Sequence, residues 1–337
     1  MIRTLIVDDS PLVRSILSDF LVSEGSFEIV GEAENGQESV KMAKELSPDL
    51  ITMDYEMPLM NGLDAIVEIR KFSGCGIVVI STHDTAKMAY EATVKGAHEF
   101  FAKDIFTSQM TDRQRSEIFN TLKQITNIRK KERSAKETSV QNNTVPRKIN
   151  CVVIASSTGG PMALCQLCST LPVNFPVPIL LVQHNTSGFD KGFVQWLDGY
   201  SHLKIQLAEE GVYPSKGNVY VAPTDKHLTV GVNGIAFDES DPISNQKPAA
   251  DILFKSAAEQ YASSLVSVVL TGMGSDGAEG TKYVKNAGGI TIAQDESSSM
   301  IYGMPQAAVE TGCIDIILPL SEIADKLISL TQGEASL

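Results

Sequence analysis

Short apolar runs ending in polar or acidic residues alternate along this chain with stretches of helical spacing. Arg3-Thr4-Leu5-Ile6-Val7 leads into Asp8-Asp9-Ser10, and Leu12 to Val22 follows with apolar residues at helical intervals. Phe27 to Ala33 predicts a second strand, Gly36 to Leu46 a helix, and Asp49-Leu50-Ile51-Thr52-Met53-Asp54 a third strand that again ends in an acid. Ile77-Val78-Val79-Ile80-Ser81 and Glu99-Phe100-Phe101-Ala102-Lys103 continue the series. Strands alternating with helices imply a parallel sheet, whose binding sites collect at the carboxyl ends of the strands. Asp8, Asp9, Asp54, Ser81 and Lys103 would meet there.

The pattern lapses from about Arg129 to Lys148, where apolar periodicity disappears and Thr138 to Thr144 is polar, as in a linker. The start of this segment extends a helix that begins near Arg113, and its basic cluster, Arg129 to Arg133, reads as a solvated helix face. The strand pattern then resumes. Cys151-Val152-Val153-Ile154-Ala155 breaks into Ser156-Ser157-Thr158-Gly159-Gly160-Pro161, a buried strand entering a tight turn and a helix. Val177 to Asn185 is a further apolar strand with His184 near its end, and Leu265 to Thr271 runs into Gly272-Met273-Gly274-Ser275-Asp276-Gly277. Both halves therefore predict α/β architecture with mostly parallel sheets.

A chain of 337 residues has room for two such domains, each with its own core. No apolar run approaches the roughly 20 residues that span a bilayer, and acids arrive too early for a secretory signal, so a cytoplasmic protein without membrane insertion is expected. Five cysteines point to reduced thiols, and Cys165-x-x-Cys168, with no second pair, to packing residues on a helix and not a zinc half-site. The net charge of −13 argues against nucleic acid as a partner.

These placements carry chemistry. Three carboxylates at one sheet edge repel one another unless a cation sits among them, and hard oxygen donors favour magnesium. A hydroxyl, an ammonium and that ion together neutralise a phosphoryl group on a central carboxylate. In the second half, Ala155-Ser156-Ser157-Thr158-Gly159 has the form of a nucleophile elbow with alanine for the first glycine, although strand, glycine turn and helix N-terminus equally describe an anion-binding turn. Neighbouring parallel strands would bring Ser157, His184 and Asp276 to one edge, giving a triad in which Ser157 attacks, His184 takes its proton and Asp276 orients His184. The glycines at 272, 274 and 277 free backbone amides to form an oxyanion hole. The order Ser, His, Asp differs from that of α/β-hydrolases. A dinucleotide-binding domain, the bland alternative, should show G-x-G-x-x-G after its first strand, which is missing here.

The first 125 or so residues resemble the receiver domain of bacterial response regulators. The resemblance makes Asp54, in Met53-Asp54-Tyr55-Glu56-Met57-Pro58, the phosphorylated aspartate. It implies that Asp8, Asp9 and Asp54, with the backbone carbonyl of Glu56, hold magnesium, that Ser81 and Phe101 are the switch hydroxyl and aromatic, and that Lys103 pairs with the phosphoryl group. Receivers usually carry a cis proline after this lysine, whereas here Asp104 follows. A non-proline cis bond costs about 2.5–4 kcal/mol, so Lys103-Asp104 is either trans or strained.

Residues from about 149 resemble the catalytic domain of the chemotaxis protein-glutamate methylesterases, the CheB family, which carries G-A-S-T-G-G-P, Q-H and G-M-G-x-D-G. This chain has Ala155-Ser156-Ser157-Thr158-Gly159-Gly160-Pro161, Gln183-His184 and Gly272-Met273-Gly274-Ser275-Asp276-Gly277. Lys247-Pro248 through Asp251-Ile252-Leu253-Phe254, and Gln294-Asp295-Glu296 leading to Gly303-Met304-Pro305, match as well. Ala155-Ser156 replaces Gly-Ala, which adds a methyl at the turn and a competing hydroxyl beside Ser157, and Asn185-Thr186-Ser187 replaces a Met-Pro-Pro type sequence.

The resemblance implies a receiver at 1–125, a linker at 126–148 and a methylesterase domain at 149–337. It implies methyl-ester hydrolysis and glutamine deamidation on chemotaxis receptors, catalysis by Ser157, His184 and Asp276, and oxyanion binding by the amides near Thr158 and Met273. It further implies a histidine kinase as phosphodonor, relief of autoinhibition on phosphorylation of Asp54, magnesium in the receiver alone and no cofactor in the catalytic domain. The rival from another class is a non-enzymatic regulator whose second domain only binds a partner.

Overall fold

The computed structural model describes residues 1–81, 86–107, 110–131, 148–185, 188–243 and 245–332. Residues 132–147 of the expected linker at 126–148, and Thr186 and Ser187 after the histidine, lie outside these residues. The chain divides into two units, Met1–Ser134 and Ala135–Leu337.

The first unit alternates β1 (Ile2–Val7), α1 (Pro11–Val22), β2 (Phe27–Ala33), α2 (Gly36–Leu46), β3 (Leu50–Met53), α3 (Gly62–Arg70), β4 (Gly76–Ser81), α4 (Ala86–Val94), β5 (Glu99–Ala102) and α5 (Asp112–Lys131). The strands pair in parallel in the order β2-β1-β3-β4-β5, the flavodoxin-like arrangement. β3 and β4 are buried along their whole length, which explains their unbroken apolar sequence. The turns are set by capping: Ser10, Asn35 and Asn61 accept from the amides of Val13, Glu38 and Asp64 and so start α1, α2 and α3. Order reverses between β1 and β3, so the crevice at their carboxyl ends is the ligand position for such a sheet.

The second unit contains β6 (Cys151–Ser156), α6 (Gly160–Thr170), β7 (Ile179–Gln183), α7 (Asp190–Asp198), β8 (Lys204–Leu207), β9 (Asn218–Val221), β10 (His227–Gly231), β11 (Gly234–Asp238), α8 (Ala250–Tyr261), β12 (Leu265–Val269), α9 (Ala278–Asn286), β13 (Ile290–Gln294), α10 (Met304–Glu310), β14 (Ile316–Leu318) and α11 (Leu320–Gln332). Seven strands form one parallel sheet, β14-β13-β12-β6-β7-β9-β8. β6, β7, β12 and β13 are wholly buried. The chain builds outward from β6 through β7 and later returns to the other side of β6 with β12, so the switch point again lies beside the first strand of the unit. The stretch from 199 to 249 gave no strand in the hydrophobic pattern, yet it supplies β8, β9 and an antiparallel hairpin of β10 and β11. Leu228, Val230 and Ile235 of that hairpin join Leu253 and Phe254 of α8 in the core. Cys165 and Cys168 lie on α6, with Cys168 buried and its thiol pushed up to about 12 by that burial.

Candidate active site

The register of β6 on β7 pairs Ser156 with Gln183, so the next residues, Ser157 and His184, leave the sheet side by side. The amide of His184 donates to Ser156 O at 3.0 Å and the amide of Ser157 to Thr271 O at 3.1 Å, tying the Ser157 turn to both neighbouring strand ends. Gly272 lies against it. A Cβ there would sit 2.8 Å from Ser157 Cβ and 3.0 Å from its nitrogen, so only glycine allows this approach. Gly159, at φ +77°, takes the left-handed conformation that turns the chain into α6.

Asp276 comes from the loop after β12. Its Oδ2 lies 2.8 Å from His184 Nε2, with 2 % of the aspartate side chain and 7 % of the histidine exposed. Three amides hold the carboxylate: Ala250 on Oδ2 at 2.6 Å, and Asp251 and Gly277 on Oδ1, each at 3.0 Å. With Nε2 engaged, His184 Nδ1 is buried and has no hydrogen-bond partner among the described residues. The Ser157 hydroxyl likewise makes no hydrogen bond among them. The amides of Thr158 and Met273 have no acceptor there either, whereas that of Ser157 is occupied by Thr271.

Ser156 does not compete with Ser157, contrary to the sequence-based expectation. It is fully buried, and its hydroxyl lies 2.7 Å from Gln183 Oε1. Consecutive residues at a strand end face opposite sides, so Ser156 turns inward as Ser157 leaves the sheet. The sequence pattern gives Gln183 no role of its own. Its Nε2 donates to the carbonyl of Ser157 at 3.1 Å and to that of His184 at 2.8 Å. Its place one residue before the histidine, on a buried strand, was the available signal. Asp251, which the sequence places in a family-matching stretch without a chemical role, accepts through its Oδ1 from the amides of Gly277 at 2.9 Å and Gly280 at 2.7 Å. Burial, and with it the neighbouring Asp276 charge, pushes its carboxyl up to about 6, against the pull of those amides.

In the first unit, Asp8, Asp9 and Asp54 each offer a carboxylate oxygen, all within 4.8 Å of one another. Hard oxygen donors at this spacing fit magnesium. Lys103 Nζ lies 2.7 Å from Asp8 Oδ2 and 2.9 Å from Asp54 Oδ2. It makes this reach through a trans peptide, since Lys103-Asp104 is not among the cis bonds. Burial pushes the Asp54 carboxyl up to about 6 although Lys103 draws it down. Ser81 is buried at the end of β4, Phe101 is half-buried on β5 with its ring edge-on to Phe106, and Glu56 is exposed two residues beyond Asp54.

Comparison with known proteins gives a match to the CheB methylesterase family over residues 152–327 and to the response regulator receiver domain over 4–115. A protein-glutamate methylesterase/protein-glutamine glutaminase of Thermotoga maritima is 40% identical over 341 residues, 98% of each chain. One of Pyrococcus abyssi is 38% identical, covering 97% of this chain and 93% of the relative. The crystal structure of the Thermotoga maritima CheB methylesterase catalytic domain, 42% identical, aligns over 55% of this chain and 100% of its own with a TM-score of 0.53.

Proposed function

The chain belongs to the CheB methylesterase family, with a response-regulator receiver ahead of the ester hydrolase, and from that premise we propose that it removes methyl groups from glutamate γ-methyl esters of chemotaxis receptors. Methanol is the product. The same acyl transfer with ammonia as leaving group deamidates receptor glutamines. We assign residues 1–125 to the receiver, 126–148 to a linker and 149–337 to the catalytic domain; the family matches fall within these bounds. A cytoplasmic location agrees with this substrate, and no helix among the described residues is long and apolar enough to cross a membrane.

Ser157 Oγ attacks the ester carbonyl and passes its proton to His184 Nδ1, the ring nitrogen that Asp276 leaves without a partner. Asp276 fixes the ring from Nε2 and stabilises the imidazolium. The amides of Thr158 and Met273, which have no acceptor among the described residues, bind the tetrahedral oxyanion. As the intermediate collapses, His184 returns the proton to the departing methoxide. A water molecule, deprotonated by His184, then releases glutamate from Ser157.

In the receiver, Asp54 accepts the phosphoryl group from a histidine kinase, and Asp8, Asp9, Asp54 and the Glu56 carbonyl would hold magnesium. When bound, the ion offsets the charge of the phosphoryl oxygens. Lys103, already paired with Asp8 and Asp54, is placed to pair with the phosphoryl group, and Ser81 and Phe101 respond to it. Phosphorylation then relieves inhibition of the catalytic domain.

The observation that carries the esterase reading is the buried His184–Asp276 contact beside Ser157 at the switch point of the sheet. Its test is methanol release from methylated receptor, with and without magnesium and a small phosphodonor. Wild type should be stimulated by the phosphodonor, and Ser157→Ala should lose at least ~10⁴ in kcat, as for other triad members that act as a unit. A wild type that is phosphorylated yet releases no methanol would overturn the reading.

A further inference from the structure

α8 and α9 both begin without a side-chain cap from their own N-cap residues, Ala249 and Gly277. Each receives it from the other. Asp276, just ahead of α9, accepts from the amides of Ala250 and Asp251, the first two residues of α8. Asp251, in the first turn of α8, accepts from the amides of Gly277 and Gly280 at the start of α9. The Gly277 amide is shared by the two carboxylates, at 2.9 Å from Asp251 and 3.0 Å from Asp276. Gly280 keeps the helices this close, since a Cβ there would lie 2.6 Å from Phe254 Cβ and 3.0 Å from Asp251 Cα. Buried His227 extends the arrangement by accepting from the Ala249 amide at 3.0 Å.

We propose that Asp251 is a positioning residue of the esterase: by capping α9 it fixes the peptide that follows Asp276, and so the face that this carboxylate turns to His184. The inference rests on the Ser-His-Asp reading above. Asp251 has no part in the proton transfers. Without its oxygen the Gly280 amide loses its acceptor, Gly277 keeps only Asp276, and the loop from Gly272 to Gly277 is free to rotate the carboxylate off the imidazole. A misplacement on the order of 1 Å in a catalytic constellation costs about 10²-fold in rate.

The full-length protein is compared as wild type, Asp251→Ala and Asp251→Asn, with Asp276→Asn as reference. Two quantities are read: methanol release, and the downfield proton resonance of the His184 Nε2–H bonded to Asp276. Asp251→Ala should lower kcat by about 10–100-fold with KM within about 2-fold, and should weaken or abolish the resonance as Asp276→Asn does. Asp251→Asn keeps an oxygen facing the two amides and should restore both. If Asp251→Ala retains the resonance and wild-type kcat, or if Asp251→Asn fails to rescue a folded protein, the inference is wrong. If wild type shows the resonance but releases no methanol, the esterase reading fails while Asp251 still stands or falls by the spectrum alone.

Discussion

The Ser156 hydroxyl donates to Gln183 Oε1 across 2.7 Å in the closed interior beneath the Ser157 turn. This bond fixes which end of the amide is oxygen, and so directs Nε2 to the carbonyls of Ser157 and His184. Ser156→Ala should therefore leave methanol release within about 5-fold of wild type and cost about 1 kcal/mol of stability for one lost hydrogen bond. Gln183→Leu removes the bridge between the carbonyls of Ser157 and His184 and should lower kcat by about 10–100-fold. Steady-state kinetics with a denaturation curve for each variant checks both; a Ser156→Ala protein as inactive as Ser157→Ala would contradict the inward orientation.

Gly272→Ala should damage catalysis more than stability. The new methyl would meet Ser157 Cβ at 2.8 Å, and overpacking of this kind costs about 1–3 kcal/mol. Relief by displacing Ser157 moves the proposed nucleophile, so kcat should fall by about 10²-fold. Retained wild-type kcat would show that the strain is taken up by Met304, whose Sδ is the nearest atom to the new methyl.

His98 makes the first unit sensitive to acid. Its Nδ1 accepts from the amide of Ile77 at 3.0 Å and faces Arg70 Nη2 at 3.1 Å, and burial followed by the Arg70 charge lowers its pKa from 6.5 to about 4. The folded protein thus resists a proton that the unfolded chain accepts. The stabilisation is fully present above pH 6.5 and is lost as pH falls towards 4, to a limit of about 3 kcal/mol. Protection factors of the β4 amides, exchange rates corrected for their intrinsic pH dependence, should fall across that interval in wild type, and His98→Gln should flatten the dependence. Equal slopes in both proteins would assign the acid sensitivity elsewhere.

Removal of residues 1–148 should leave an active esterase, since the matching domain of the Thermotoga maritima relative has a crystal structure by itself. Activity at or above that of the unphosphorylated full chain is expected in the methanol assay. A folded but slower fragment would mean that the receiver contributes to catalysis and does not simply inhibit it.

Much of this was legible because parallel strands announce themselves as apolar runs, and the candidate site residues follow directly on their ends. Asp8, Asp54, Ser157 and His184 each stand within a residue of a strand end. The hairpin of β10 and β11 was not legible, because His227-Leu228-Thr229-Val230-Gly231 and Gly234-Ile235-Ala236-Phe237-Asp238 alternate apolar with polar or small residues and show no unbroken apolar run. Nor were the roles of Gln183 and Asp251. Both act on backbone groups brought near by tertiary packing, at separations such as the 26 residues between Asp251 and Gly277, and a residue string does not display its own amides. The inward direction of Ser156 follows from strand alternation, although Ser156 and Ser157 are chemically identical neighbours in the sequence.

The exchanged caps of α8 and α9 also bear on how the catalytic centre comes apart. A helix capped by its own sequence can fray alone, but here opening either first turn removes the acceptor of the other. The two turns therefore form one cooperative opening unit, and the amides of Ala250, Asp251, Gly277 and Gly280 belong to it together. Partial unfolding at this place would give no weakened esterase with a loosened aspartate; molecules would either hold the whole constellation or lose it in a single step.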